Sequence, residues 1–153
     1  MNGLFFWQMK YRYSARGFTL LELMIVVAIV AILSAIAYPS YSKYVVRTRR
    51  TAAAGCLSEY ANYMERFYTT NQSYNTAGGV AANATLPTMD CATQTVAYYT
   101  YDDSPGTLTS NAYTVEAVPI GAQLAADTQC GTLQLNQTGA RSVTGTGTVA
   151  QCW

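Results

Sequence analysis

Glu22 is the only charged residue between Phe18 and Tyr38, a stretch that reads FTLLELMIVVAIVAILSAIAY. An ionised carboxylate among apolar side chains costs about 2–4 kcal/mol unless a cation meets it, so the chemistry open to Glu22 is pairing. Four cysteines, Cys56, Cys91, Cys130 and Cys152, form an even set without a Cys-x-x-Cys pair. That suits two disulfides in an oxidising compartment, and the count leaves three pairings open. Asp102 and Asp103 could ligate a cation, but carboxylates in the run Asp-Asp-Ser-Pro-Gly read first as a solvated turn. Arg47, Arg49 and Arg50 read as headgroup anchors or inter-subunit salt-bridge formers ahead of nucleic-acid contacts; DNA is compatible with them but not indicated. There is no histidine in the 153 residues, which excludes Ser-His-Asp and Cys-His nucleophiles and histidine-ligated zinc. No phosphate-binding loop, paired catalytic acids or nucleophile motif appears either, so the sequence predicts no enzyme, no cofactor and no metal site.

The element that must position Glu22 is a helix. As an α-helix, Phe18 to Tyr38 would span roughly 31 Å at 1.5 Å per residue, the thickness of a bilayer hydrocarbon core. Apolar side chains surround it on every face, whereas a core helix of a water-soluble protein keeps a polar stripe. Two fates are open to such a segment. In one, Lys10, Arg12 and Arg16 are the basic region of a secretory signal and Ala35-Ile36-Ala37 is its cleavage site, releasing a soluble binding module that starts at Tyr38. In the other the helix is retained in a membrane. The length of the apolar run and the presence of Glu22 inside it favour retention, since a disposable targeting segment has no use for that carboxylate.

Ala15-Arg16-Gly17-Phe18-Thr19-Leu20-Leu21-Glu22-Leu23-Met24, followed by a long apolar stretch and Pro39-Ser40-Tyr41, resembles the processing site and N-terminal helix of type IV pilins. The match covers about a third of the chain. Cys130-Gly131-Thr132-Leu133 and the terminal Cys152-Trp153 are similar to features of minor pilins. The resemblance implies that residues 1–17 are a leader removed by a prepilin peptidase between Gly17 and Phe18, that Phe18 is then N-methylated, and that Glu22 meets the N-terminal ammonium of a neighbouring subunit. It also implies partners: other pilin subunits, the peptidase and methyltransferase, the inner-membrane pilus assembly machinery, and lipid before assembly. A pseudopilin of a type II secretion system shares the same N-terminal region and is the rival within the class. Where the family often has a glycine ahead of the proline, this chain has Ala31.

The pairing has a physical logic of its own. Cleavage after Gly17 creates a cation at the start of a helix, four residues before the only carboxylate of the apolar stretch. Each charge is costly alone, so a contact between subunits enforces register as well as attraction.

Beyond the membrane segment (18–38) the helical pattern continues. Val45, Val46, Ala53, Cys56, Leu57, Tyr60, Met64, Phe67 and Tyr68 recur at three- and four-residue steps, with Arg49, Arg50, Glu59, Glu65 and Arg66 mostly on other faces. One helix is predicted from about Thr19 to about Thr70, its exposed half at 39–70, with a kink at Pro39, which lacks an amide donor. Asn71-Gln72-Ser73 ends it, and Gly78-Gly79 to Pro87 reads as an irregular connection. Strands are expected at Thr95 to Tyr101 and Tyr113 to Val118. A hairpin follows, with Thr132 to Leu135 and Ala140 to Val143 flanking Asn136-Gln137-Thr138-Gly139. The predicted fold class is α+β: a long hydrophobic N-terminal helix whose distal half packs on a small antiparallel sheet, with the head at 71–153. So small a head needs bridges. The favoured pairing ties Cys56 to Cys91, joining helix and following connection, and Cys130 to Cys152, closing the C-terminal segment.

The whole chain has nine basic and eight acidic residues; losing Lys10, Arg12 and Arg16 with the leader leaves six basic and a net charge of −2. Lys43, Arg47, Arg49 and Arg50 beyond the span oppose the leader's cations, so orientation does not follow from charge. The four cysteines suit a head outside the cytoplasmic membrane; the resemblance implies an inner-membrane precursor with its head in the periplasm, and an extracellular pilus after assembly. Met1 to Gln8, MNGLFFWQ, is apolar and aromatic, whereas MKYRYSARG from Met9 is short and basic. Translation from Met9 would give the more typical leader. Motility, adhesion, DNA capture and secretion are all compatible with a head rich in Thr, Asn and Gly.

Overall fold

The computed structural model describes residues 17–77, 80–81 and 86–153. The leader residues through Arg16, both candidate start codons and Gly78-Gly79 lie outside the described residues. The chain divides after Pro39 into two units.

Helix α1, Leu20–Asn71, contributes to both. Its first part is Leu, Ile, Val and Ala with no polar stripe, and Pro39 lies inside the helix, where it removes the hydrogen bond to the Ala35 carbonyl. In the second unit α1 is amphipathic. Ala53, Cys56, Leu57, Tyr60 and Met64 are buried at three- and four-residue spacing. The helix stops where Gln72 turns to φ 55°, its amide donating to the Tyr68 carbonyl at 2.7 Å. A left-handed residue just past the last turn satisfies a carbonyl the helix leaves free.

Strands β1 (Thr76–Ala77) and β2 (Val80–Ala81) pair antiparallel. The expected irregular connection thus contains a short strand, β2. Helix α2, Asp90–Thr95, comes next, then β3, Tyr99–Asp103. This corrects the strand expected at Thr95 to Tyr101. Thr95 closes α2 by donating its hydroxyl to the Cys91 carbonyl at 2.9 Å, a local side-chain-to-backbone bond that competes with its β propensity. Asp102 and Asp103 consequently lie in β3, and the turn begins at Ser104, with Gly106 at φ 77°.

β4 (Thr114–Pro119) buries Val115, Ala117 and Pro119 in strict alternation. Helix α3, Gly121–Ala126, links it to β5, Leu133–Asn136, which buries Leu133 and Leu135. β6, Arg141–Val143, returns through a turn in which Asn136 Oδ1 accepts from the Thr138 and Ala140 amides at 3.1 and 2.9 Å. Helix α4, Val149–Cys152, ends the chain behind a Thr148–Gln151 capping box. The four strands form an antiparallel meander, β3-β4-β5-β6. Its buried face and the α1 stripe share one core with Tyr74, Tyr99 and Tyr113. The fold is α+β.

Candidate functional site

In the N-terminal unit, Gly17, Phe18 and Thr19 precede α1 and are exposed, Phe18 at 80%. Thr19 caps the helix. Its hydroxyl oxygen accepts the Glu22 amide at 3.2 Å, and its carbonyl accepts the Leu23 amide at 3.2 Å. The spacing Thr-x-x-Glu is that of a capping box, a signal in plain view that the sequence reading did not use. Glu22 is exposed in the first turn, where the helix N-terminus favours a negative charge. Along the same segment, Leu23, Val26, Ile29 and Ile36 are each more than half exposed. Fully burying one such side chain gains about 1.5–3 kcal/mol, so this surface is stable only against lipid or other apolar segments. The helix is long and apolar enough to cross a membrane.

The unit from Ser40 onward, called the head from here on, places its charges differently. Arg50, expected at a membrane face or subunit contact, instead turns inward: its Nη1 donates to Asp127 Oδ1 at 2.5 Å and lies 2.7 Å from Cys130 Sγ. The two side chains are 12% and 3% exposed, and theirs is the one salt bridge among the described residues. Gln123, fully buried, donates through Nε2 to Tyr99 Oη at 3.0 Å, to Asp127 Oδ2 at 3.2 Å and to the Val46 carbonyl at 3.2 Å. Its Oε1 has no partner. Burial first, and the Asp127 charge second, push the Tyr99 phenol up. Arg49 also points to the head, its guanidinium 3.7 Å from the centre of the Tyr98 ring.

A second carboxylate, Glu65, accepts from Tyr74 at 3.0 Å and Tyr113 at 3.2 Å. Burial, then this carboxylate, push Tyr74 up to about 12 and raise Tyr113 as well. These clusters hold elements together; neither sets a base beside a nucleophile. Asp102 sits opposite Glu116 across β3 and β4, and among the described residues no group of three His, Cys, Asp or Glu side chains could hold a metal. On the outer face of the sheet, Gln134 bridges Glu116 and Ser142, with bonds of 3.1 and 3.0 Å. Arg141 lies 5.0 Å from the centre of the Trp153 ring.

Both bridges lie in the head. Cys56–Cys91 joins α1 to α2 and Cys130–Cys152 encloses β5, β6 and most of α4; the sequence separations are 35 and 22 residues. The second loop closes tightly: a Cβ on Gly145 would stand 2.2 Å from the Gln129 carbonyl oxygen, so only glycine fits.

The sequence model of a family described as "Type IV minor pilin ComP, DNA uptake sequence receptor" matches residues 39–134, and a prokaryotic N-terminal methylation motif matches 12–38. The fimbrial protein EcpC of Eikenella corrodens is 40% identical over 70 residues, 44% of this chain and 46% of that protein. The type IV major fimbrial protein FimA of Dichelobacter nodosus is 41% identical over 81 residues, 44% of this chain and 52% of its own. The chain thus spans about half the length of these relatives. A type IV pilin structure from Shewanella oneidensis is 27% identical with a TM-score of 0.46, covering 71% of this chain and 97% of that one. With well over half of its residues matched, this chain belongs to the ComP family of type IV minor pilins, which are structural subunits and not enzymes.

Proposed function

We propose that this protein is a filament subunit made as a membrane-anchored precursor, cut between Gly17 and Phe18, N-methylated at Phe18 and polymerised from the inner membrane into a type IV pilus. One observation carries the reading: the first part of α1, up to Pro39, is apolar, exposed and holds a single carboxylate, and it starts just after Gly17-Phe18-Thr19. Hydrolysis would leave an ammonium on Phe18 four residues from Glu22. In lipid both charges are costly. Between adjacent subunits each supplies the other's counter-ion, so the pair sets the register in which apolar segments exchange lipid for one another. Pro39 removes one hydrogen bond and gives α1 a place to bend during that exchange.

The family match over the head favours a pilus subunit over a secretion pseudopilin, and over a soluble module released after Ala37. Intact-mass measurement on membrane-extracted protein tests the processing step. The expected mature chain starts at Phe18 and carries one extra methyl group; a start at Tyr38 would overturn the processing and the retained membrane helix.

DNA reception is a second reading, favoured by the family's description. From Ser40 onward there are six basic and seven acidic residues, and Arg50 is committed to Asp127, so no overall field attracts phosphate. Contact would be local, with Arg141 and the stacking surface of Trp153 as its candidates. Salt-dependent binding of duplex DNA, weakened in Arg141→Ala, is the expected result; a protein that shows no binding even at low salt would remove this reading.

A further inference from the structure

The hydrogen bonds at the start of α1 bear on the bond to be cut. Gly17, Phe18 and Thr19 stand outside the helix, and among the described residues nothing lies within 4 Å of where a Gly17 side chain would be. Helix formation stops there because the Glu22 amide is taken by the Thr19 hydroxyl oxygen, at 3.2 Å, in place of the Phe18 carbonyl. We infer that Thr19 is a positioning residue for processing: its cap keeps the Gly17–Phe18 peptide bond extended and outside α1, in the form a peptidase can engage. The inference rests on the processing reading proposed above.

What replaces the cap decides the state of the scissile bond. Without the hydroxyl, the first amides of α1 lose an acceptor in an apolar setting where water is a poor substitute. They can recover acceptors by extending the helix one turn upstream, with Glu22 donating to the Phe18 carbonyl and Leu21 to the Gly17 carbonyl. The Gly17 carbonyl is the group that hydrolysis must reach. Water adds to its carbon, the bond to the Phe18 nitrogen breaks, and the nitrogen takes a proton, leaving a Gly17 carboxyl and a Phe18 amine. A helical Gly17–Phe18 unit has that carbonyl engaged along the helix and its backbone wrapped inside a turn. Helical precursor would therefore be a non-binding population in equilibrium with the extended one, and the apparent affinity falls by the extended fraction.

The side-chain oxygen matters in this scheme as an acceptor, so chemically different caps should be interchangeable. Thr19→Val keeps the shape and loses the acceptor; Thr19→Ser and Thr19→Asn both cap. The test uses full-length precursor in membrane vesicles, a prepilin peptidase, and intact mass to follow cleavage with time. Thr19→Val should raise KM about fivefold, equivalent to ~1 kcal/mol, with kcat unchanged, and both Ser and Asn should restore the wild-type value. Three results would overturn the inference: Thr19→Val cut like wild type, a loss confined to kcat, or rescue by Ser but not Asn. The last two would mean that the peptidase reads the hydroxyl itself. Wild-type precursor left uncut at Gly17–Phe18 is a separate failure, that of the processing reading, and the inference would fall with it.

Discussion

The residues up to Pro39 and those from Ser40 onward treat their apolar side chains in opposite ways. In the head, Leu57, Val115 and Leu133 are fully buried; in the N-terminal segment, Leu23, Ile29 and Ile36 are 59%, 53% and 70% exposed. Charges follow the same split. Asp127 is 3% exposed and already has Arg50, whereas Glu22 is exposed and has no salt-bridge partner among the described residues. One region is completed by folding. The other is completed only by neighbours, first lipid and then, on the reading proposed here, other subunits. Damage to the head should therefore register as lost stability, and damage to the segment as lost assembly.

The largest expected effect on stability is loss of a bridge. Removing Cys130–Cys152 by Cys130→Ser with Cys152→Ser, or Cys56–Cys91 by the equivalent pair, should cost about 3–4 kcal/mol in the chain-entropy account. Thermal unfolding of detergent-solubilised protein would read the drop, with membrane insertion unchanged. Equal loss of insertion would break the division between the two regions.

Next comes Asp127→Ala, which strands a mostly buried guanidinium and should cost about 3 kcal/mol. The double variant Arg50→Met, Asp127→Leu should lose less than the single one, because no charge is then left unpaired. A denaturant series on the three proteins would show it. If the single variant were as stable as wild type, the inward-facing Arg50 would not be part of the head's support.

How much of this could be read from the sequence depended on length and locality. The α1 stripe and the alternation of β4 repeat often enough to reveal their periods. The β5–β6 hairpin announces itself through Asn136-Gln137-Thr138-Gly139. Helices α2, α3 and α4, of six, six and four residues, are too short to show a period, and Thr95, the last residue of α2, reads as the start of a strand because it and Val96 look like one. Arg50 and Asp127 are separated by 77 residues, so no local pattern could pair them. Arg50 looked like a surface cation because its neighbours Arg47 and Arg49 are cations too. In the N-terminal segment the roles assigned to Gly17, Phe18 and Glu22 came from residue type, order and a family resemblance. The Thr19 cap is equally local, and its signal is the Thr-x-x-Glu spacing of Thr19 and Glu22.

The smallest expected effect concerns pH. Burial first, and a hydrogen bond with Asp102 second, hold the Asp103 carboxyl above its ordinary value of 3.8. A carboxyl with a folded pKa above its unfolded one binds its proton more tightly in the native state. Its contribution therefore favours folding as pH drops through the folded value toward 3.8, and is absent at neutral pH, where the charged form is a liability. Asp103→Asn should thus stabilise the head by under ~1 kcal/mol at pH 7 and flatten part of the acid-side rise, visible in melting temperatures across pH 4 to 7. An unchanged profile would mean that Asp103 titrates alike in both states.

The division between a self-sufficient head and a segment completed by neighbours is tested most directly by Glu22→Ala, measured as the share of this subunit in sheared filaments when variant and wild type are made at equal levels. The account predicts that the variant inserts into the membrane, keeps its head fold and falls at least ~10-fold in filaments, because the cation it should meet is stranded. Incorporation equal to wild type would contradict it.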